Sequence, residues 1–343
     1  MNTLNYAQRS ARRRLLASAS LMTGASLLLA GCGTGVSASD TDADAATETV
    51  TITNCGRELV FEQTPKSVVS LMPSQTDLLL RLGAQDRLAG QAQVDTSDLP
   101  EDVAELAADV PVISTDAPPA REETLAVSPD LVVSPTEYEF TAEQGYASIE
   151  QLAENGAQAY VSTGGCSDRR SSAEVADLFV DIENLGKILQ ASDEAEALAA
   201  DAQKRLDAVE KAIADEDRLT VAEVWVDGNL FGAIGAGIEY DIIREAGGEN
   251  VFDPDAPEFA DFFSAEINPE EIISRNPDAI VFGTTNNTKR EQVLKYLRAT
   301  FPDVTAVKED RLISVPHSDF YPGTVGNIDA VEAIAAELYP SAF

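Results

Sequence analysis

Histidine is nearly absent: His317 stands alone among 343 residues, beside three cysteines, one tryptophan and only 24 Lys or Arg against 59 Asp or Glu. Each scarcity removes a class of function. Zinc or manganese sites favour several imidazoles with a carboxylate, so one histidine speaks against such a site unless carboxylates do all the work. Ser-His-Asp catalysis would have to run through the same His317, and no Gly-x-Ser-x-Gly elbow is present. The glycines from Gly232 to Gly237 lack both the Lys-Ser/Thr of a phosphate loop and the Rossmann spacing. A net charge of −35 leaves no Lys/Arg stripe, which excludes nucleic acid and anionic headgroups as partners. No apolar run is long enough to span a bilayer. The excess acid is read as a solubility device, with a cationic ligand or a basic partner as the alternative.

What is present begins at the N-terminus. Arg9, Arg12, Arg13 and Arg14 precede a short apolar segment ending in Leu27-Leu28-Leu29, the pattern of a secretory signal peptide over residues 1–31. Leu29-Ala30-Gly31-Cys32 resembles the lipobox of bacterial lipoproteins, which implies an acylated Cys32 and an extracytoplasmic protein anchored to the cell membrane by lipid. Each buried methylene contributes about 0.8 kcal/mol, so two or more chains hold firmly. Arg12-Arg13-Arg14-Leu15-Leu16 leaves twin-arginine export open beside the general route. Residues 32–54 are assigned to the lipidated cysteine and a tether, since Gly33 to Glu48 offer almost nothing to bury. With the signal peptide removed, 20 basic residues face 59 acidic ones. Cys55 and Cys166 remain, outside the cytoplasm where thiols oxidise, and a disulfide between them closes 111 residues. Such a bridge stabilises by about 4–5 kcal/mol less native strain; a two-cysteine metal site is the alternative.

Strand and helix patterns alternate. Val68–Leu71 reads as a strand, Pro73 to Leu82 as a helix stopped by Gly83, 121–127 as a helix, Leu131–Val133 as a strand, 143–155 as a helix and Ala157–Val161 as a strand. The fold class is therefore α/β, with two similar lobes built on mostly parallel sheets and joined by one long rigid helix. Boundaries fall at 55–190 for the N-terminal lobe, 191–217 for the linking helix and 218–343 for the C-terminal lobe. Ala195, Leu198, Ala199, Ala202, Leu206, Val209 and Ile213 recur at helical spacing, so the link is a strut and hinge motion is small. Ser128-Pro129-Asp130-Leu131 returns as Asn276-Pro277-Asp278-Ala279, each after a helix end and before an apolar strand.

Several phrases together resemble substrate-binding proteins of ABC importers that capture ferric siderophores, haem and cobalamin. They are Pro65-Lys66-Ser67-Val68-Val69-Ser70-Leu71 leading into Thr76-Asp77-Leu78-Leu79 and Leu82-Gly83, Ser128 to Val132, Gly247-Gly248-Glu249-Asn250-Val251-Phe252, Ile267 to Ile272, and Asn276 to Ile280. The Cys55 and Cys166 pair, with Pro322-Gly323 and Asn327, looks like an actinobacterial branch of that class. The resemblance implies a monomer without cofactor or catalysis, which delivers a metal chelate or large cofactor to a permease. Ligands of open α/β sheets sit beyond the carboxyl ends of strands. That places Met72, Ser74, Gln75, Gln91, Glu137, Tyr138 and Phe140 in the first lobe. Trp225, Phe262, Phe263, Thr285, Asn286, His317, Phe320 and Tyr321 are the candidates in the second. Aromatic side chains there suit a large planar or chelated ligand. The family docks its permease through one Glu on each lobe; Glu143 and Glu245 are the nearest matches, although Arg244 aligns where the second Glu usually stands. Cleft loops hold cations only at their edges (Arg121, Arg169, Arg170, Lys289, Arg290), which favours a neutral or cationic chelate, such as a ferric hydroxamate, over a catecholate. A corrinoid or a deazaflavin-type precursor is the alternative ligand, and a secreted hydrolase with paired carboxylates the alternative class.

Overall fold

A computed structural model describes residues 49–228, 230–260 and 262–343. The signal peptide, Cys32 and the tether up to residue 48 lie outside the described residues. Val50–Asn54 (β1) and Arg57–Phe61 (β2) pair antiparallel, from Val50 opposite Phe61 to Asn54 opposite Arg57. Cys55 and Gly56 join them at φ 47° and 69°, the left-handed pair that a tight hairpin turn requires. The last residues given to the tether are thus a strand. Val50 to Thr53 are all β-branched, and their alternation buries Ile52 while exposing Thr51 and Thr53.

The first lobe continues through Val68–Ser70 (β3), Pro73–Arg81 (α1), Leu88–Gln91 (β4), Glu101–Ala107 (α2), Arg121–Ala126 (α3), Leu131–Ser134 (β5), Ile149–Glu154 (α4), Gln158–Val161 (β6) and Asp177–Leu189 (α5). Its sheet, in the order β4-β3-β5-β6, is parallel throughout. Every residue of β3 and β5 is buried, as strands covered on both faces must be. The helix expected over 143–155 is shorter. Gly145, at φ 91°, ends a single turn at Ala142–Gln144, and α4 starts only after Ser148, which forms a capping box with Gln151. Cys55 and Cys166 are bridged, and Asn54 exchanges two hydrogen bonds with the backbone of Val161 (2.7 and 2.9 Å), so the hairpin is fixed to the end of β6.

Ser192–Ala212 (α6) follows, 21 residues that stop short of residue 217 because Ile213 leaves helical geometry as its C-cap. Gly186 of α5 admits α6 closely: a Cβ there would lie 2.5 Å from that of Ala195. Arg205 of α6 donates to Asp329 and to Glu332 on the last helix.

The second lobe comprises Thr220–Asp227 (β7), Leu230–Ile234 (β8), Gly237–Glu245 (α7), Glu249–Asn250 (β9), Ser264–Glu266 (β10), Pro269–Arg275 (α8), Ala279–Thr284 (β11), Asn287–Thr300 (α9), Thr305–Lys308 (α10), Leu312–Pro316 (β12) and Gly326–Leu338 (α11). Here the sheet is mixed but still mostly parallel. β7, β9, β10, β11 and β12 run the same way, and β8, antiparallel to both β7 and β10, runs against them. Gly228, at φ 59°, reverses the chain directly into β8, whereas a parallel return would need a crossover helix.

The repeated phrase performs the same task in both lobes. Ser128 and Asn276 adopt φ 48° and 45°, and each is followed by Pro-Asp. Asp130 accepts from the N–H groups of Lys66 (2.8 Å) and Ser67 (3.0 Å); Asp278 accepts from the N–H (3.0 Å) and hydroxyl (2.7 Å) of Thr220. Each aspartate therefore pins the entry of the neighbouring parallel strand. One apolar cluster extends from β3 and α1 through α5 and α6 to α7, β11 and α11, so the lobes share a core. A separate cluster containing Phe231, Phe252, Phe259, Phe282 and Phe301 fills the other face of the second sheet. Among the described residues no helix is long and apolar enough to cross a membrane.

Candidate functional site

A cavity of about 170 Å³ opens between the lobes. The first lobe contributes Thr136, after β5, and Arg170, after the turn that follows β6. The second contributes Ile238 and Glu239 from the first turn of α7, Phe263 from the approach to β10, and His317, Phe320, Tyr321 and Pro322 from the segment leaving β12.

Local packing holds Arg170 in place. Gly165 has no room for a side chain, since a Cβ would stand 1.8 Å from the Pro135 carbonyl oxygen, and the neighbouring Cys166 is bridged. On the other side Gly237, at φ 76°, lets α7 begin against the Arg170 carbonyl, 2.8 Å from where its Cβ would be. The Val175 N–H donates to Asp241 of α7 (2.8 Å), which joins the lobes beside the cavity. The Arg170 guanidinium rests 5.0 and 4.9 Å from the ring centres of Phe262 and Phe263, a cation on two aromatic faces. The rings of His317 and Tyr321 meet edge to face at 5.3 Å.

Buried acid surrounds this cation. Glu139 accepts from Thr136 (2.6 Å) and Ser134 (2.9 Å), yet burial still raises its pKa. Burial pushes Glu239 up to about 7, against its own backbone hydrogen bond and the field of Arg170. Glu223, on β7, is driven well above the carboxylate range by burial and then by Glu239. Burial, with Glu139 and Glu239 adding to it, lifts Tyr321 to about 12. His317 opens onto the cavity, but the surrounding protein desolvates its ring and lowers its pKa. Among the described residues no group of three His, Cys, Asp or Glu is placed to hold a metal ion.

Of the residues anticipated from sequence, Phe263, His317, Phe320 and Tyr321 line the cavity, and Phe262 stacks on Phe263 with ring centres 4.2 Å apart. Tyr138 is 49% exposed and packs edge to face on Tyr146, while Glu137 accepts from Ser167. The others do not line this cavity. Gln75 donates to the carbonyls of Pro322 and Gly323 (3.4 Å each) and accepts from Ser162 (3.3 Å), closing the seam between lobes. Gln91 donates to the Ala107 and Val110 carbonyls, and Phe140 belongs to the first-lobe core. Met72 is buried at the start of α1, and Ser74 faces a different cavity with Asp77 and Asp319. Trp225 packs on Gly232, where a Cβ would lie 2.2 Å from its ring. Thr285 is exposed, and Asn286 is occupied as the cap of α9, accepting from the Lys289 N–H (2.9 Å). Glu143 stands on the exposed turn before Gly145. Glu245 pairs with Arg244 (2.8 Å) at the end of α7 opposite the cavity, next to Arg218 and Tyr339.

Arg170 and Glu239 are the principal residues that pattern reading did not assign to the site. Arg170 lines the cavity itself, whereas the sequence placed it among cations at the edge of the cleft loops. Its closeness to Cys166 was the available signal, since a bridged cysteine fixes the residues just after it.

The periplasmic binding protein family matches residues 68–318. The uncharacterized ABC transporter substrate-binding lipoprotein YvrC of Bacillus subtilis is 27% identical over 326 residues, 93% of this chain and 95% of that protein. Among solved structures, a periplasmic binding protein from Veillonella parvula superposes with a TM-score of 0.74 at 24% identity, covering 85% of this chain and 98% of the other. An ABC-type Fe3+-hydroxamate transport system protein from Saccharomonospora viridis gives 0.69 at 23%, covering 84% and 98%. At these identities the solved structures speak for the fold alone.

Proposed function

This chain belongs to the periplasmic binding protein family, and we propose that it captures a ferric hydroxamate or related metal chelate between its lobes for delivery to an ABC importer permease. In this reading it works outside the cytoplasm as a monomer, anchored by acylated Cys32, and transforms nothing. Glu143 is the first-lobe contact with the permease, whereas the position of Glu245 argues against it as the second.

The observation that carries the reading is the cavity wall: one guanidinium laid on two phenyl rings, with Phe320 and Tyr321 beside them, where the lobes meet. Rings give a chelate its apolar contact and the guanidinium serves ligand oxygens. About 170 Å³ is less than the 300–1,000 Å³ common for enclosed ligands. A chelate therefore inserts one edge or arm and leaves its body over Phe262, which is 44% exposed. A solved structure that shares this fold is named for Fe3+-hydroxamate transport, the ligand class proposed here.

Calorimetric titration of the protein with ferric trihydroxamates, haem, cobalamin and a deazaflavin precursor tests the proposal. One-to-one binding of a trihydroxamate is expected. Binding of haem or cobalamin alone would replace the ligand class, and turnover of any of the compounds would remove the chain from the importer class.

A further inference from the structure

Two buried carboxylates, one of them in the cavity wall, have no ion-pair partner among the described residues. Glu239 lines the cavity at 8% exposure, and Glu223 on β7, which feels the charge of Glu239, is 2% exposed with Oε2 lacking any hydrogen-bond partner among the described residues. Arg170 is the cation whose field reaches Glu239, yet its guanidinium lies over Phe262 and Phe263 and forms no ion pair with either glutamate among the described residues. Buried carboxylates without a partner are costly, and an amide or apolar side chain would fill the same space at less cost. The arrangement becomes favourable when a positive group enters. Phe263, Phe320 and Tyr321 offer that group aromatic faces, and the cavity volume suits an aminoalkyl arm rather than a whole chelate.

We infer that Glu239, backed by Glu223, recognises a primary ammonium carried by the ligand, leaving Arg170 for the ligand's oxygen atoms. This rests on capture of a chelate at this cavity and narrows its class to chelates with a cationic arm. The charged and titratable groups around the pair are Arg170 from the turn after β6, Glu139 from the first lobe, and His317 and Tyr321 from the segment leaving β12. Tyr321, at about 12, stays neutral throughout, and burial holds His317 below the ordinary imidazole range. Glu239, at about 7, and Glu139, also raised, both lose charge as pH falls. Preference for the ammonium therefore weakens toward acid.

The test compares two ferric trihydroxamates that differ only in a terminal amine, free or N-acetylated. At pH 8 the native protein should bind the free amine about tenfold more tightly. That ratio should shrink at pH 5.5, and again in a Glu239→Gln protein whose melting curve shows it folded. Equal affinities in the native protein at pH 8, or a ratio kept by the folded Glu239→Gln protein, would overturn the inference while chelate capture stands. Binding of neither compound would overturn capture and the inference together. The native comparison decides even where a variant does not fold.

Discussion

The two lobes share one device and differ in what they give the cleft. In both, a left-handed residue followed by Pro-Asp ends a helix, and the aspartate pins the entry of the adjacent strand. Beyond that the four-stranded sheet of the first lobe is wholly parallel and the lobe supplies Thr136 and Arg170, whereas the second lobe, with its mixed sheet, supplies the remaining cavity wall. The difference lies in where the loops go. A strand followed by a crossover releases its next loop at the carboxyl edge, where ligands sit. A strand that reverses at once, as β7 does through Gly228, keeps its residues in the sheet. Trp225 is held against Gly232 for this reason, while the long exit from β12 reaches the cavity with four residues.

The largest expected effect falls on the covalent tie that only the first lobe has. Replacing Cys55 and Cys166 together by serine should lower unfolding stability by about 2–5 kcal/mol, read from denaturant titration. Two freely alkylatable thiols in the native protein would remove the bridge from the account.

Next comes the seam. Gly323 has φ 66°, and a Cβ there would fall 2.4 Å from Ser162 Oγ and 2.5 Å from Asp181 Oδ2. Gly323→Ala should cost about 2–3 kcal/mol through overpacking and backbone strain. An unchanged melting temperature would mean that the lobes meet more loosely than described.

Acid groups sharpen the comparison because each lobe desolvates one near this seam, Asp181 fully and Asp319 in part. Burial pushes both Asp181 and Asp319 up to about 7 from 3.8. The folded state thus keeps protons that the unfolded chain releases. Their contribution to stability is complete below about pH 4 and is lost as pH rises through 7. Melting temperature should fall between pH 5 and 7.5, and Asp181→Asn or Asp319→Asn should flatten the slope. Stability rising over that window would contradict these assignments.

The smallest effect concerns motion. A core shared through α5, α6 and α11 resists hinge closure, so X-ray scattering with and without chelate should nearly superpose. Compaction on binding would point to a looser link.

Much of the scaffold was legible because its signals are local. Apolar runs between turn residues marked β3, β5 and β11, and Pro73 and Gly83 bracketed α1. The hairpin β7–β8 was missed because a glycine turn and a loop between crossover elements read alike until the pairing is known. The site was legible only in part, since ring side chains at strand ends divide between cleft and core by packing. Phe320 and Tyr321 reached the cavity, but Phe140 packs with Leu152 in the first-lobe core. Arg170 and Glu239 meet across 69 residues of chain, a distance that no local pattern spans.

The most direct test of the whole account is chelate binding by the native protein and by a double variant, Arg170→Ala with Tyr321→Ala, one change from each lobe. Truncating buried anchor residues typically costs about 1–3 kcal/mol each, so the double variant should bind a ferric trihydroxamate about a hundredfold more weakly while melting like the native protein. Undiminished binding by a folded double variant would place the ligand elsewhere and contradict the central claim.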